Sequence, residues 1–428
     1  MGLRLAALFV VGTGLGAVVN WATYTFAWIP RPISPWSPTP EGATPRTWFD
    51  RVPVVGWFAL RREAAIHGRG FCLRPLCVEL ATGVAVAALY WWEVVALGLV
   101  RGQLPGLVAA PAEPLYLEFV SHVLLLCLLL AASLIDVDEK IIPDEITVPG
   151  TILGLALATS LPMSLLPHVD ARGAAPLVGV ELAQAHGQAW YLEPVTAVAP
   201  HAWPPAWGAA GEWSSLAIAL GCYWLWCFAL TPRIWRGRQG TVRTCGIILA
   251  RVRRELWRRP LRGILLMGTA AIVFTWALGG HANWAGLLTA LIGLAASGGL
   301  VWAVRLIGTY SLRKEAMGFG DVTLMMMIGT FLGWQACLIL FFLSPFAAIA
   351  FGIAQLVMRS DDQIPFGPYL SAAAMVCVVA WAPIWMWAQP IYGLGPLVPA
   401  MVVVCLALLG VMLLVWRFIK EALFGRGE

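Results

Sequence analysis

Two acidic positions carry the most reactive chemistry that this chain offers. Asp321 closes the run Met317-Gly318-Phe319-Gly320-Asp321 and leads directly into an apolar stretch beginning Val322-Thr323-Leu324. Asp136 ends another apolar run and opens Asp136-Val137-Asp138-Glu139-Lys140-Ile141-Ile142-Pro143-Asp144. Carboxylates at hydrocarbon boundaries are costly and by default mark function. So far apart in sequence, the two can meet only through helix packing. Peptide hydrolysis by such a pair needs a shared proton. One carboxylate takes a proton from water as it attacks, and the other hydrogen-bonds the carbonyl oxygen. Like charges at about 3 Å cannot both ionise, so such a pair titrates as one unit.

Each motif alone has an ordinary reading. Glycine before a helix-starting Asp is an N-cap signal, and Asp138, Glu139, Asp144 and Glu145 read equally well as solvated loop. Gly318 and Gly320 lack a Cβ, which lets an extended backbone or a neighbouring helix approach Asp321. Residues 136–145 hold five acidic side chains and one lysine, an acidic mouth suited to a cationic segment. The alternative is that these acids balance nearby arginines.

Composition says what must position the acids. The chain has 428 residues, 60% hydrophobic and 12% charged, with mean hydropathy +0.78. Soluble domains carry about 25% charged residues, so the expected class is all-α, a polytopic membrane bundle of about 8–11 spans. Apolar runs near the spanning length of about 20 residues fall at 5–28, 79–100, 116–135, 146–166, 213–231, 264–280, 284–307, 335–357, 366–388 and 397–418, with a shorter one at 321–333. The first reads as a retained span, too long for the core of a cleaved signal. With the N-terminus outside, every Lys and Arg except Arg4, Arg101 and Arg172 falls in or beside an inner segment. This is the positive-inside pattern, and it puts Asp136 and Asp321 at the cytoplasmic face.

The expected organisation is a first span at 1–28, an inner lobe at 29–78 rich in Pro, Trp and Arg, and a membrane-embedded unit at 79–428. That unit carries a nearly uncharged outer insertion at 167–212 and a basic inner insertion at 232–263. The basic insertion holds ten arginines interleaved with apolar residues, which suits an interfacial helix on anionic lipid. It reads as a topology anchor, and no nucleic-acid partner is expected. The nine cysteines are mostly single within predicted spans and read as small buried apolar residues.

At these residues the chain resembles the type IV prepilin peptidase family. Gly16-Ala17-Val18-Val19-Asn20 looks like the family's opening. Val52-Pro53-Val54-Val55-Gly56-Trp57, Arg74 and Glu79-Leu80-Ala81-Thr82-Gly83 resemble its inner lobe and the exit into the second span. Asp136-Val137-Asp138 with Ile142-Pro143-Asp144 looks like the first aspartate motif. Gly318-Phe319-Gly320-Asp321 and Ile364-Pro365-Phe366-Gly367-Pro368 match the second motif and the downstream loop.

The resemblance implies that Asp136 and Asp321 are the catalytic pair. Gly318, Gly320, Asp138, Pro143, Asp144, Pro365 and Gly367 would support them. It also implies a protease that cuts basic leaders from prepilins or pseudopilins in a bacterial inner membrane. Membrane lipids and a type IV pilus or type II secretion machinery would be its other partners. The peptidase step would need no cofactor, and members with the full lobe also N-methylate the new terminus with S-adenosylmethionine.

Where many members carry two CxxC pairs, this lobe has only Cys72, Cys77 and His67. No metal is therefore expected, structural zinc included. Presenilin-like proteases share Gly-x-Gly-Asp but pair it with Tyr-Asp, whereas Ile135 precedes Asp136 here. A reading from another class is an ion- or proton-coupled transporter using membrane-edge carboxylates. It predicts paired broken helices in corresponding halves, which the sequence does not display.

Overall fold

The chain is described by a computed structural model covering residues 1–103, 110–172, 176, 178–185, 188–200, 211–231, 259–313, 317–358 and 365–424. The interfacial helix expected within 232–263 falls, up to residue 258, outside the described residues.

The protein is a polytopic all-α membrane protein. Among the described residues, seven helices are long and apolar enough to cross a membrane, or up to eight if one bent pair counts as a span. In chain order, α1 is Gly2–Phe26, and the short α2 (Val55–Leu60) and α3 (Ala64–His67) build the lobe. Next come α4 (Leu73–Tyr90), α5 (Ala112–Glu139) and α6 (Asp144–Ser160). After a small sheet, α7 is Trp213–Ala229, α8 Arg259–Leu278 and α9 His281–Leu312. The chain closes with α10 (Gly320–Met358), α11 (Gly367–Val379), α12 (Trp381–Tyr392) and α13 (Leu397–Phe424).

This count is lower than the eleven apolar runs because length, not only composition, decides a span. Runs 146–166 and 213–231 form 17-residue helices, short of the roughly 20 residues that cross a bilayer. Runs 321–333 and 335–357 belong to one element, α10, broken at Gly333 (φ 77°, ψ 171°). Run 366–388 folds into α11 and α12, which meet at 91°.

The break in α10 has a partner that sequence reading did not supply. Residues 167–194 form a three-stranded antiparallel sheet, β1 (Pro167–Arg172), β2 (Val180–Ala185) and β3 (Gln188–Pro194), ordered β1-β3-β2. The segment after β3 plugs the broken helix. Gln335 Nε2 donates to the carbonyls of Thr196 (2.8 Å) and Ala199 (3.2 Å). Trp334 Nε1 donates to Ala197 O (2.9 Å), and the Ala197 amide donates to Thr289 Oγ1 (2.9 Å). Trp381 Nε1 donates to Pro167 O (2.6 Å), and His168 stacks on Trp385 at 5.8 Å. Carbonyls of the inserted segment are thus met by side chains inside the protein, and the Gln335 carbonyl beside the bend accepts from the Tyr392 hydroxyl (2.7 Å), as backbone away from water requires.

The lobe hangs from one buried acid. Glu79 Oε1 accepts from Trp57 Nε1 (2.8 Å) and Asn20 Nδ2 (3.3 Å), while Oε2 accepts the Val54 amide (2.5 Å). Gly16 lets α1 close onto α4 there, since a Cβ would stand 2.6 Å from Glu79 Cα. Inside the lobe, Arg46 forks onto Glu63 and Arg62 onto Asp50. In the π-helical turn Trp91–Val95 that continues α4, Glu93 Oε1 lies 2.8 Å from His122 Nδ1 of α5, both side chains fully buried. That contact ties the second helix to the third.

Two predictions follow from these contacts. A Cβ on Gly293 in α9 would sit 2.1 Å from Gly329 O in α10, whereas one on Gly299 meets nothing within 4 Å. Gly293→Val should cost about 1–3 kcal/mol through overpacking and lower the thermal midpoint in detergent, while Gly299→Ala should leave it in place. Equal midpoints would mean that this helix contact is not tight.

Within the lobe, hydrogen bonds from Arg62 lower the Asp50 carboxyl to about 2. Its stabilisation is complete above the ordinary aspartate value of about 4 and fades as pH falls toward 2. Arg62→Gln should make the lobe open at higher pH during acid titration, followed by hydrogen exchange of residues 46–63. An unmoved acid midpoint would remove this pair as the lobe's acid lock.

Candidate active site

Asp136 does not sit in a loop. Helix α5 continues past it to Glu139 and ends at Lys140, which takes the left-handed conformation (φ 57°) and returns its amide to Asp136 O (2.8 Å). The connection to α6 is therefore only four residues, 140–143. Asp136 is 4% exposed and Asp321, the second residue of α10, is 7% exposed. The two carboxylates lie close enough to interact electrostatically.

Three helix ends and one wedge bring them together. The amide of Gly367, first residue of α11, donates to Asp136 Oδ2 (3.1 Å). It is one of the amides that a helix start leaves unpaired, and it brings the positive end of the helix to the acid. No larger residue fits at 367, because a Cβ would stand 2.5 Å from Asp136 Oδ2 and 2.9 Å from Ile142 Cδ1. On the other side, a Cβ on Gly320 would stand 2.9 Å from Ile142 Cβ. Ile142 is thus packed between the starts of α10 and α11, beside both acids. Gly318 lies beside the Asp321 carboxylate. Its Cβ position would lie 3.5 Å from Asp321 Oδ2.

The other expected supporting residues are placed differently. Asp138 faces the lobe, where Arg74 Nη1 donates to both its oxygens (2.8 and 2.7 Å) and Arg31 lies 3.5 Å away. Glu139 accepts the amides of Trp28 (2.6 Å) and Ile29 (3.2 Å). Pro143 caps α6 with its carbonyl, and Asp144 and Glu145 occupy the exposed first turn, where acids suit the helix dipole. Of the five acids expected at one mouth, Asp138 and Glu139 are therefore turned to the lobe. Pro365 precedes Phe366, the cap of α11; Ile364 lies outside the described residues.

Sequence reading missed two residues. Ile142 was seen only as part of a motif, and its alternation gave no sign of the wedge. Arg305, in the last turns of α9, donates its Nε to Met317 O (2.8 Å) and lies 5.8 Å over the Phe319 ring. It anchors the segment that leads into Asp321. A lone arginine at a span's end carries a charge signal, but not this partner.

Comparison with known proteins agrees with the geometry. The profile of the type IV leader peptidase family matches residues 123–181 and 259–353. Prepilin leader peptidase/N-methyltransferase of Aeromonas salmonicida (strain A449) is 36% identical over 104 residues, 24% of this chain and 34% of the relative. The protein of the same name from Myxococcus xanthus (strain DK1622) is 28% identical over 159 residues, 36% of this chain and 41% of the relative. The matched part thus spans about a third of the length of the first of these and two fifths of the second. No solved structure matches the chain. The two profile segments contain Asp136 and Asp321 respectively, so both acids fall within the stretches similar to the type IV leader peptidase family.

Proposed function

We propose that the protein is a membrane aspartyl endopeptidase that removes basic leaders from type IV prepilins or pseudopilins. The observation that carries this reading is the approach of two buried acids from distant helices, Asp136 and Asp321, beside the backbone of Gly320 and Gly367. In the proposed reaction one carboxylate removes a proton from water, whose oxygen bonds to the scissile carbonyl carbon. The other carboxyl gives its proton to the carbonyl oxygen. Collapse of the tetrahedral intermediate breaks the C–N bond, the amine leaves with the proton first taken from water, and one diol O–H returns its proton to the second carboxylate, restoring the pair. Burial of both acids excludes bulk water and strengthens these interactions.

The Lys and Arg bias favours a reaction at the cytoplasmic face of a bacterial inner membrane. The names of the relatives favour prepilin-type substrates of a type IV pilus or type II secretion system. Asp144 and Glu145, exposed on α6, are the acids suited to drawing in a basic leader.

The methyl-transfer half of those names finds less support. S-adenosylmethionine is a net cation that would bring an activated methyl group. Asp50 and Glu63 in the lobe and Glu79 just after it are each already bonded within the protein, and Glu41 is exposed away from any such cluster of donors. The described lobe residues do not fit that donor, and no step is assigned through it. Among the described residues no group of three or more His, Cys, Asp or Glu is arranged to hold a metal.

Reconstituted protein incubated with a candidate prepilin, with the new N-terminus read by mass spectrometry, tests the proposal. Asp136→Asn and Asp321→Asn should each abolish cleavage while still inserting in the membrane. Substantial processing by either variant would remove that residue from the pair. Gly367→Ala pushes on the Asp136 carboxylate and should lower kcat by about a hundredfold. A rate within twofold of wild type would show that the Gly367 contact does not set the acid's position.

A further inference from the structure

Six arginines stand in the lobe between residues 46 and 74, and their partners divide them. Arg46 is held by Glu63, Arg62 by Asp50 and Arg74 by Asp138, each at 2.7 Å. Arg51 lies over the Trp36 ring at 5.1 Å. Arg61 and Arg69 are both exposed. Among the described residues, neither has a carboxylate within ion-pair reach.

These two line a single cavity of about 400 Å³, walled by Trp57, Phe58, Phe71, Leu73 and Leu76. The Arg61 guanidinium lies 4.9 Å over the Phe58 ring and acts electrostatically on the Cys72 thiol, which also lines the cavity. Leu73 and Leu76 belong to the first turn of α4, the start of a span. The cavity therefore combines apolar walls with uncompensated positive charge at the level where hydrocarbon meets headgroups.

Few ligands match that combination. The occupant must carry an anion that guanidinium groups fork onto, as they do onto phosphate. It must also carry an apolar part for the aromatic and leucine walls, and reach the site from the membrane. A cationic sulfonium donor is repelled by the same rim. We propose that this cavity binds an anionic phospholipid, with the phosphate between Arg61 and Arg69 and the glycerol end of the chains against Phe58, Phe71 and Leu73. The lobe would then be held to the inner leaflet by a bound lipid as well as by its protein contacts.

Cys72 supplies a local reporter. Full-length protein in a Cys77→Ser background is placed in nanodiscs of phosphatidylcholine, alone or mixed with phosphatidylglycerol of the same acyl chains. Maleimide labelling of Cys72 is followed by peptide mass spectrometry. Phosphatidylglycerol should slow labelling roughly tenfold, in keeping with two arginines facing anionic lipid. Arg61→Gln with Arg69→Gln should abolish the slowing, and Arg61→Lys with Arg69→Lys should keep most of it.

Equal rates in the two lipids for the parent protein would overturn the proposal. So would slowing that persists in the glutamine variant, which would place the lipid at other arginines. Protection by inorganic phosphate or S-adenosylmethionine in phosphatidylcholine alone would instead make this a small-molecule cavity. Leader cleavage plays no part in the labelling rate, so the lipid site and the peptidase can fail separately.

Discussion

A carboxylate taken out of water must be met by donors, by an opposite charge or by a proton, because the uncompensated charge costs several kcal/mol. This demand shapes the whole molecule. Glu79 is met by an indole and a backbone amide from the start of α2 and by an amide side chain from α1. Glu63 and Asp50 are met by arginines, and Glu93 by an imidazole. Asp136 is met by one backbone amide at a helix start, and its remaining neighbours are Ile142 and the second acid. Asp136 is thus met by a neutral amide rather than by a cation, which suits the proton exchange proposed for it.

The geometry of the proposed catalytic pair also depends on the lobe, through the end of α5. Two residues beyond Asp136, Arg74 and Arg31 grip Asp138, and Arg74 also donates to Leu134 O (3.2 Å). One residue farther, Glu139 takes two amides from the chain that leaves α1. These contacts fix the last turn of the helix that presents Asp136. Paired acids help only if their spacing is held to a fraction of an ångström, and a fraying helix end would not hold it.

At the opposite end of the bundle, the same logic governs the inserted sheet. Breaking α10 at Gly333 and folding α11 onto α12 at 91° exposes backbone and indole groups that lipid cannot satisfy. Carbonyls of the segment after β3 and of Pro167 accept from the side chains of Trp334, Gln335 and Trp381, while the Tyr392 hydroxyl donates to the Gln335 carbonyl. The insertion is thus part of the bundle's closure, packed on Trp381 and Trp385.

Composition and hydropathy determined the class of this protein, because a chain this apolar can satisfy its backbone in lipid only by forming helices. The two aspartates were legible as well, since acids at the edges of apolar runs are conspicuous. Local sequence could not decide which acids serve the site. Asp138 lies two residues from Asp136, yet the turn of the helix points it at Arg74. Glycine at 367 was visible as a motif, but only the packing of α11 on α5 shows that its amide holds Asp136 and that no side chain fits there. The wedge at Ile142, the Arg305 anchor and the sheet that plugs α10 all rest on contacts between residues distant in sequence. Such contacts leave no periodic trace in the chain, and only the tertiary structure decided them.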